Sequence, residues 1–230
     1  MSKRRLHAIF FDLDGTLIDI REPLYASARY ALARMGNQPA LTRERYYELL
    51  LKEGLSLGMP EPLRHQYAKL ALSHFVAQTM TEQFQLLPGV AQTLAELKRR
   101  NYTTGVITSR PGDPAGLSDK LSACGLSGLL DHVLTAPENN LRALDKTENL
   151  KLACYRAGVL SQHCAYVGDE PRDTMAARNA QFGAAIAVAT GAGGVEHLQN
   201  HPEFRPDYVL DSIDQLPDLL TLLERDSVSR

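Results

Sequence analysis

After Leu87-Pro88-Gly89 the chain alternates between short apolar runs and amphipathic stretches, and no other feature limits its fold as strongly. The runs are Thr103 to Ile107, Leu129 to Leu134, Cys164 to Val167, Ala184 to Val188 and Tyr208 to Leu210. Between and around them, helical spacing predicts helices ending at Arg99, near Leu117 to Ala123, over Thr147 to Ala157, Pro171 to Ala180 and Ile213 to Leu223. Apolar runs this short have the length of buried strands. A helix between each pair implies crossovers, and so a parallel sheet covered on both faces. Leu6 to Phe11 reads as one more buried strand, and the tail from Arg225 to Arg230 is expected to fray. The fold class is α/β, and in such sheets ligands sit beyond the carboxyl ends of the strands, near a reversal of strand order.

The stretch from Glu22 to Met80 breaks this rhythm. Leu24, Ala28, Ala31, Leu32 and Met35 recur at helical spacing until Gly36-Asn37-Gln38-Pro39 stops them, and further helices are expected from Thr42 to Lys52 and from Glu61 to Met80. With no strand-like run among them, these residues form an all-helical insert. The expected division is a core of residues 1–20 and 86–230 and a helical unit of residues 21–85.

The 230 residues are enough for one large α/β domain carrying a smaller insert. Lys and Arg number 25 against 27 Asp and Glu, which leaves no overall field to recruit nucleic acid or an anionic membrane. The basic start, Lys3 to Arg5, reads as a solvated arm. The apolar run after it is broken by Asp12 before it reaches signal-peptide length, and no run approaches the roughly 18 residues of a membrane span. Three cysteines without a C-x-x-C pair, Cys124, Cys154 and Cys164, indicate neither a disulfide framework nor a zinc knuckle and fit a reducing cytoplasm. His197 and His201 supply only two zinc ligands and read as a surface pair. Gly191 to Gly194 lacks a phosphate-loop lysine and reads as a mobile loop beside the site. The residues leave monomer and homodimer open.

Polar, compact segments follow three of the expected strands: Asp12-Leu13-Asp14-Gly15-Thr16, Thr108-Ser109-Arg110 and Gly168-Asp169-Glu170-Pro171-Arg172-Asp173. Asp12 and Asp14 are two apart, so an extended strand end would point both carboxylates to one side. Asp169 and Asp173 flank Pro171, where a helix start would let Asp169 cap it and Asp173 sit in its first turn. Four carboxylates at neighbouring strand ends repel one another unless a hard dication lies among them, and an oxygen-rich donor set favours Mg²⁺ over zinc. The Thr108 hydroxyl and the Lys146 ammonium are candidate ligands for phosphoryl oxygen.

In order and separation these residues resemble the four motifs of the haloacid dehalogenase superfamily. Phe10 to Leu17 is similar to the first, Val106-Ile107-Thr108-Ser109 to the second, Lys146 to the third and Gly168 to Asp173 to the fourth. The resemblance implies a Rossmann-like core with a helical cap inserted after the first motif, as in phosphoglycolate-phosphatase-like members. It also implies that Asp12 is a nucleophile forming an aspartyl-phosphate and that Asp14 is the acid and base. Thr108 and Lys146 would stabilise the transferring phosphoryl group. Mg²⁺ would be held by Asp12, Asp169 and the Asp14 backbone carbonyl, with Asp173 and Thr16 behind them. A second aspartate, needed to protonate an alkoxide, argues for a phosphatase acting on a small phosphorylated metabolite rather than a dehalogenase. A phosphosugar mutase, a pyrophosphatase or a nucleotide phosphatase share the same core.

The chain departs from the pattern at Ser109-Arg110, where relatives often carry Asn-Lys, at Thr147 in place of proline, and at Glu170 in place of a small polar residue. Ser109 and Arg110 remain candidate substrate contacts, with Arg110 offering a bidentate fork to a carboxylate or phosphate. Glu170 either adds charge beside the metal or points outward. Arg45, Lys52, Arg64 and Lys69 are possible cap contacts that read more simply as solvated.

Overall fold

The computed structural model describes residues 5–36, 41–81, 83–136, 145–191, 194–199 and 204–228. The chain opens with β1 (Ala8–Phe11), followed by α1 (Arg21–Arg34), α2 (Arg43–Glu53) and α3 (Glu61–Thr81). Then come α4 (Val90–Arg99), β2 (Thr103–Pro111), α5 (Pro114–Leu121), β3 (His132–Ala136), α6 (Thr147–Ala157), β4 (Cys164–Gly168) and α7 (Pro171–Asn179). The last elements are β5 (Ala184–Val188), α8 (Gly194–Gln199), β6 (Tyr208–Leu210) and α9 (Leu216–Val228). The strands form one six-stranded sheet in the order β3-β2-β1-β4-β5-β6, and every pairing is parallel. The expected α/β class with helices on both faces is what the chain adopts.

Alternation along the strands builds two apolar layers. Ile9, Phe11, Val106, Val167 and Ile186 pack with Leu94 and Leu97 of α4 and Leu216 and Leu220 of α9. Ala8, Phe10, Ile107 and Tyr166 face the other way, onto Leu150 and Ala153 of α6 and Ala176 and Ala177 of α7. Because both faces are covered, β1, β4 and β5 are buried at every position. This is why their sequences are continuously apolar rather than alternating.

The helices α1 to α3 carry an apolar cluster of their own, centred on Tyr25, Ala31, Tyr46, Leu50 and Tyr67. The two strands of chain that join them to the sheet run side by side: the Asp19 amide donates to the Gln85 carbonyl (2.8 Å) and the Leu87 amide to the Leu17 carbonyl (3.0 Å), with an antiparallel bridge between Ile18 and Leu86.

Several boundaries differ from expectation. The third strand begins at His132, not Leu129, because Leu129 and Leu130 pack on the core from within a turn that Gly128 makes at φ +71°. β2 continues past Ile107 to Pro111 through an irregularity in its pairing with β3. The last helix runs from Leu216 to Val228, past the expected end at Leu223, since no glycine or proline stops it, and Arg100 and Tyr102 anchor it as far as Glu224 through Pro217, Thr221 and Glu224. The glycine-rich segment opens a short helix, α8, at Gly194. Cys124, Cys154 and Cys164 are free cysteines, with Cys154 Sγ 3.2 Å from Cys164 Sγ. Among the described residues no helix is long and apolar enough to cross a membrane. Lys3, Arg4, His201 and the His197 side chain lie outside the described residues.

Candidate active site

Strand order reverses at β1, which sends the chain to β2 on one side and pairs with β4 on the other, and the crevice beyond their carboxyl ends is where a ligand fits. Register places Phe11 beside Val106 and Val167, so Asp12, Thr108 and Asp169 all emerge at that crevice. The Asp12 amide donates to the Val167 carbonyl (2.8 Å), which fixes the residue at the mouth.

Lys146 is the organising charge. It is 3% exposed, stands at the N-cap of α6, and its Nζ lies 2.7 Å from Asp12 Oδ1 and 2.7 Å from Asp173 Oδ1. Asp173 is in turn held by α7: its Oδ2 accepts the Glu170 amide (3.1 Å) as part of the helix-capping arrangement. The N-cap is therefore Glu170, not Asp169, and that shift by one residue frees the Asp169 carboxylate to face the crevice. Asp169 accepts from the Thr16 hydroxyl (3.1 Å). Glu170 itself pairs with Arg172.

Oxygens of Asp12, Asp169 and Asp173 lie within 4.8 Å of one another, and all three residues are buried. One ammonium against three carboxylates leaves the cluster short of positive charge. Burial, reinforced by Asp173 and Asp14 and opposed by Lys146, pushes the Asp12 carboxyl up to about 7. Burial and the neighbouring Asp12, Asp173 and Glu170 drive Asp169 up as well. Lys146 moves against its own burial, because the two carboxylates hold it charged well above the usual lysine range. A desolvated, all-oxygen, anion-rich cluster fits a hard divalent cation. The backbone is also shaped around it. A Cβ on Gly15 would lie 2.5 Å from Asp169 Oδ2, and Gly191 approaches the same carboxylate more closely still.

β1 ends at Phe11, the Asp12 amide still pairs with β4, and the chain then turns, with the Leu17 and Ile18 amides both donating to the Leu13 carbonyl. The Asp14 carboxylate is taken by Arg110, whose Nε and Nη2 donate to its two oxygens at 2.7 and 2.5 Å. Thr108 is 1% exposed and its hydroxyl accepts the Arg110 amide (3.1 Å). The Ser109 hydroxyl is buried and without a hydrogen-bond partner. Arg45, Lys52 and Arg64 pair with neighbouring glutamates on their own helices, and Lys69 is exposed.

Sequence reasoning set Gly191 in a loop beside the site but missed Thr190 and what the two residues touch. There the Thr190 hydroxyl donates to the Gly15 carbonyl (2.6 Å) and Gly191 abuts Asp169. The available signal was position: Thr190-Gly191 follows a buried strand at the same end of the sheet. Tyr166 was missed too; its ring lies 5.7 Å from Lys146 Nζ and its hydroxyl donates to the Ile107 carbonyl (2.9 Å).

Residues 9–187 match the family model described as haloacid dehalogenase-like hydrolase. The chain belongs to that family. Phosphoglycolate phosphatase of Cupriavidus necator is 30% identical over 224 residues, covering 93% of each chain. A pyrophosphatase of Bacillus velezensis is 28% identical over 94% of this chain and 97% of its own. A haloacid dehalogenase-like hydrolase from Streptococcus pneumoniae superposes with a TM-score of 0.70 at 21% identity, covering 93% of this chain and 98% of that one. This haloacid dehalogenase-like protein is an enzyme of the phosphatase kind, and Asp12, Lys146, Asp169 and Asp173 lie together at its β1/β4 crevice.

Proposed function

We propose that the chain is a Mg²⁺-dependent hydrolase of small phosphate monoesters that works through an aspartyl-phosphate on Asp12. The observation that carries this is the bridge from Lys146 to Asp12 and Asp173, with Asp169 in the same buried cluster. Lys146 and Asp173 hold one Asp12 oxygen in place, leaving the other to attack phosphorus. As the Asp12 oxygen bonds to phosphorus, the ester P–O bond breaks, its electron pair goes to the leaving oxygen, and Asp14 gives that oxygen a proton. Asp14 then takes a proton from water as the water attacks phosphorus, and the Asp12 carboxylate departs with the electron pair, releasing phosphate. In this reading the Lys146 ammonium and the Thr108 hydroxyl stabilise the charge that accumulates on the transferring oxygens. Asp12, Asp169 and the Asp14 carbonyl would hold Mg²⁺, with Asp173 and Thr16 supporting them. The ion neutralises the approaching phosphate and the carboxylates together.

Residues 21–85 form the cap and residues 1–20 and 86–230 the core. The separate apolar cluster of α1 to α3 and the paired linkers at their base support this division. The substrate is a small phosphorylated metabolite of the cytoplasm, with phosphoglycolate the leading candidate on the likeness to the Cupriavidus enzyme. Pyrophosphate is the second reading, carried by the Bacillus relative.

Phosphate release from a panel of small phosphate esters, pyrophosphate and nucleotides, measured with Mg²⁺ or chelator, tests the proposal in the wild type and in Asp12→Asn. Metal-dependent release from an ester, reduced by about 10³-fold or more in the variant, is expected. Release unchanged in Asp12→Asn, or none from any compound, overturns it.

A further inference from the structure

The proposed chemistry leaves the Arg110 pair with Asp14 unused, and the pair stands in its way. A carboxylate with both oxygens in a guanidinium fork at 2.7 and 2.5 Å keeps only the lone pairs that point away from the guanidinium, so the fork competes with the proton the group must carry to a leaving oxygen. Arg110 is itself firmly placed. Its guanidinium lies 5.4 Å from the ring of Phe75 on α3 and 5.3 Å from that of Phe84, in the chain returning to the sheet. The arginine and aspartate side chains are 15% and 23% exposed, so the pair is within reach of a ligand but shielded from bulk water. The two rings occupy the region around the guanidinium, which leaves its hydrogen-bonding edge as the part that can change partner.

A fork that fits one carboxylate fits another, or a phosphate, equally well. We infer that Arg110 is a latch on Asp14, released when a second anionic group on the leaving part of the substrate takes over the fork. The guanidinium then exchanges one anion for another, and Asp14 is freed only when a substrate of the right charge is seated. This names the substrate class as phosphate esters whose leaving group carries its own carboxylate or phosphate, and makes Arg110 the residue that selects them. The neighbouring Ser109 hydroxyl, buried without a hydrogen-bond partner, is a further donor at the same strand end. Because Phe75 comes from the inserted helices and Arg110 from the sheet, the latch is assembled by both. The inference rests on Asp14 being the acid and base of the proposed reaction.

The test compares the full chain with Mg²⁺ on 2-phosphoglycolate and on 2-hydroxyethyl phosphate, esters of similar size of which only the first has a carboxylate. In the wild type kcat/KM is expected to favour the carboxylate ester by about tenfold or more, what one good charged contact contributes. Part of that preference should appear in kcat, since simple charge attraction would move KM alone. Arg110→Gln should bring the ratio to within about threefold of unity, and Arg110→Lys, which keeps the charge but not the fork, should restore only part of it. A wild-type ratio below about two, or an unchanged ratio in Arg110→Gln, overturns the latch while leaving the hydrolase reading intact. The wild-type ratio decides even if the variants fail to fold. No phosphate from either ester, with release from other compounds of the panel, overturns the latch alone; no release from any compound overturns both.

Discussion

A methyl group on Gly191 would lie 1.9 Å from Asp169 Oδ2, well inside contact distance. The loop after β5 therefore sets how far the Asp169 carboxylate can stand from the crevice, although it contributes no charge. Gly191→Ala must push either the loop or the carboxylate aside. We expect phosphate release to fall about 10²-fold, the usual cost of misplacing a reacting group by an ångström, with the far-ultraviolet circular dichroism unchanged. A variant within twofold of wild type would show that the loop yields instead.

Lys146→Met leaves Asp12 and Asp173 facing each other in a buried site. Removing one partner of such a pair typically costs about 3–5 kcal/mol, so the unfolding midpoint should drop markedly. Phosphate release should fall by about 10²–10³-fold with the loss of the ammonium. In the Lys146→Met/Asp173→Asn double variant one of the stranded charges is gone, and stability but not activity should recover. Recovery of both would mean that the ammonium has no chemical role.

Asp169→Asn should have opposite effects on the free and metal-bound protein. The carboxyl is driven up by burial and by Asp12 and Asp173, so a neutral amide relieves repulsion, and the unfolding midpoint in chelator should not fall. Wild type in Mg²⁺ at a hundred times its dissociation constant should gain about 2.7 kcal/mol, and the variant should lose that gain. A full Mg²⁺ shift in Asp169→Asn would remove Asp169 from the ion's ligands.

Asp131 offers a test away from the crevice. Burial pushes its carboxyl up, but Lys98 (2.7 Å to each oxygen) and the Thr104 amide (2.8 Å) outweigh it and hold the group below the usual range. A depressed folded value contributes stability that is present above the ordinary carboxylate pKa and is lost as pH falls through the folded one. The side chain is 36% exposed, so solvent screening should keep the loss in Asp131→Asn near about 1 kcal/mol at neutral pH. The gap between variant and wild type in denaturant titrations should narrow below about pH 4. A gap that widens in acid would be inconsistent with this account.

Of the strands buried on both faces, β5 was legible to the residue: Ala184 to Val188 is apolar throughout because it lies between two helix layers. The bounds of α6, Thr147 to Ala157, were equally plain, with Gly158 in the left-handed region at its end. Asp12, Lys146, Asp169 and Asp173 were legible as a set, and the sheet brings them together. What could not be read depends on where the chain turns. The Arg110 pairing with Asp14 joins positions 96 residues apart, a separation that local spacing does not reveal. Gly191 could be set beside the site, but its close approach to Asp169 could not be read, since that lies in what stands opposite it. Leu129 and Leu130 misled because turn residues can supply a core as well as strand residues do.

The bridge between Ile18 and Leu86 has a consequence for how proteins of this shape diversify. The helices leave the sheet and return to it at one point, through two segments already hydrogen-bonded to each other, so the sheet sees a closed stem whatever lies beyond. Loop-closure entropy grows only with the logarithm of length, about 0.6 kcal/mol per doubling. Residues between those two positions can therefore be lengthened, shortened or exchanged as a block at little thermodynamic cost, while the chemistry at the strand ends is inherited intact.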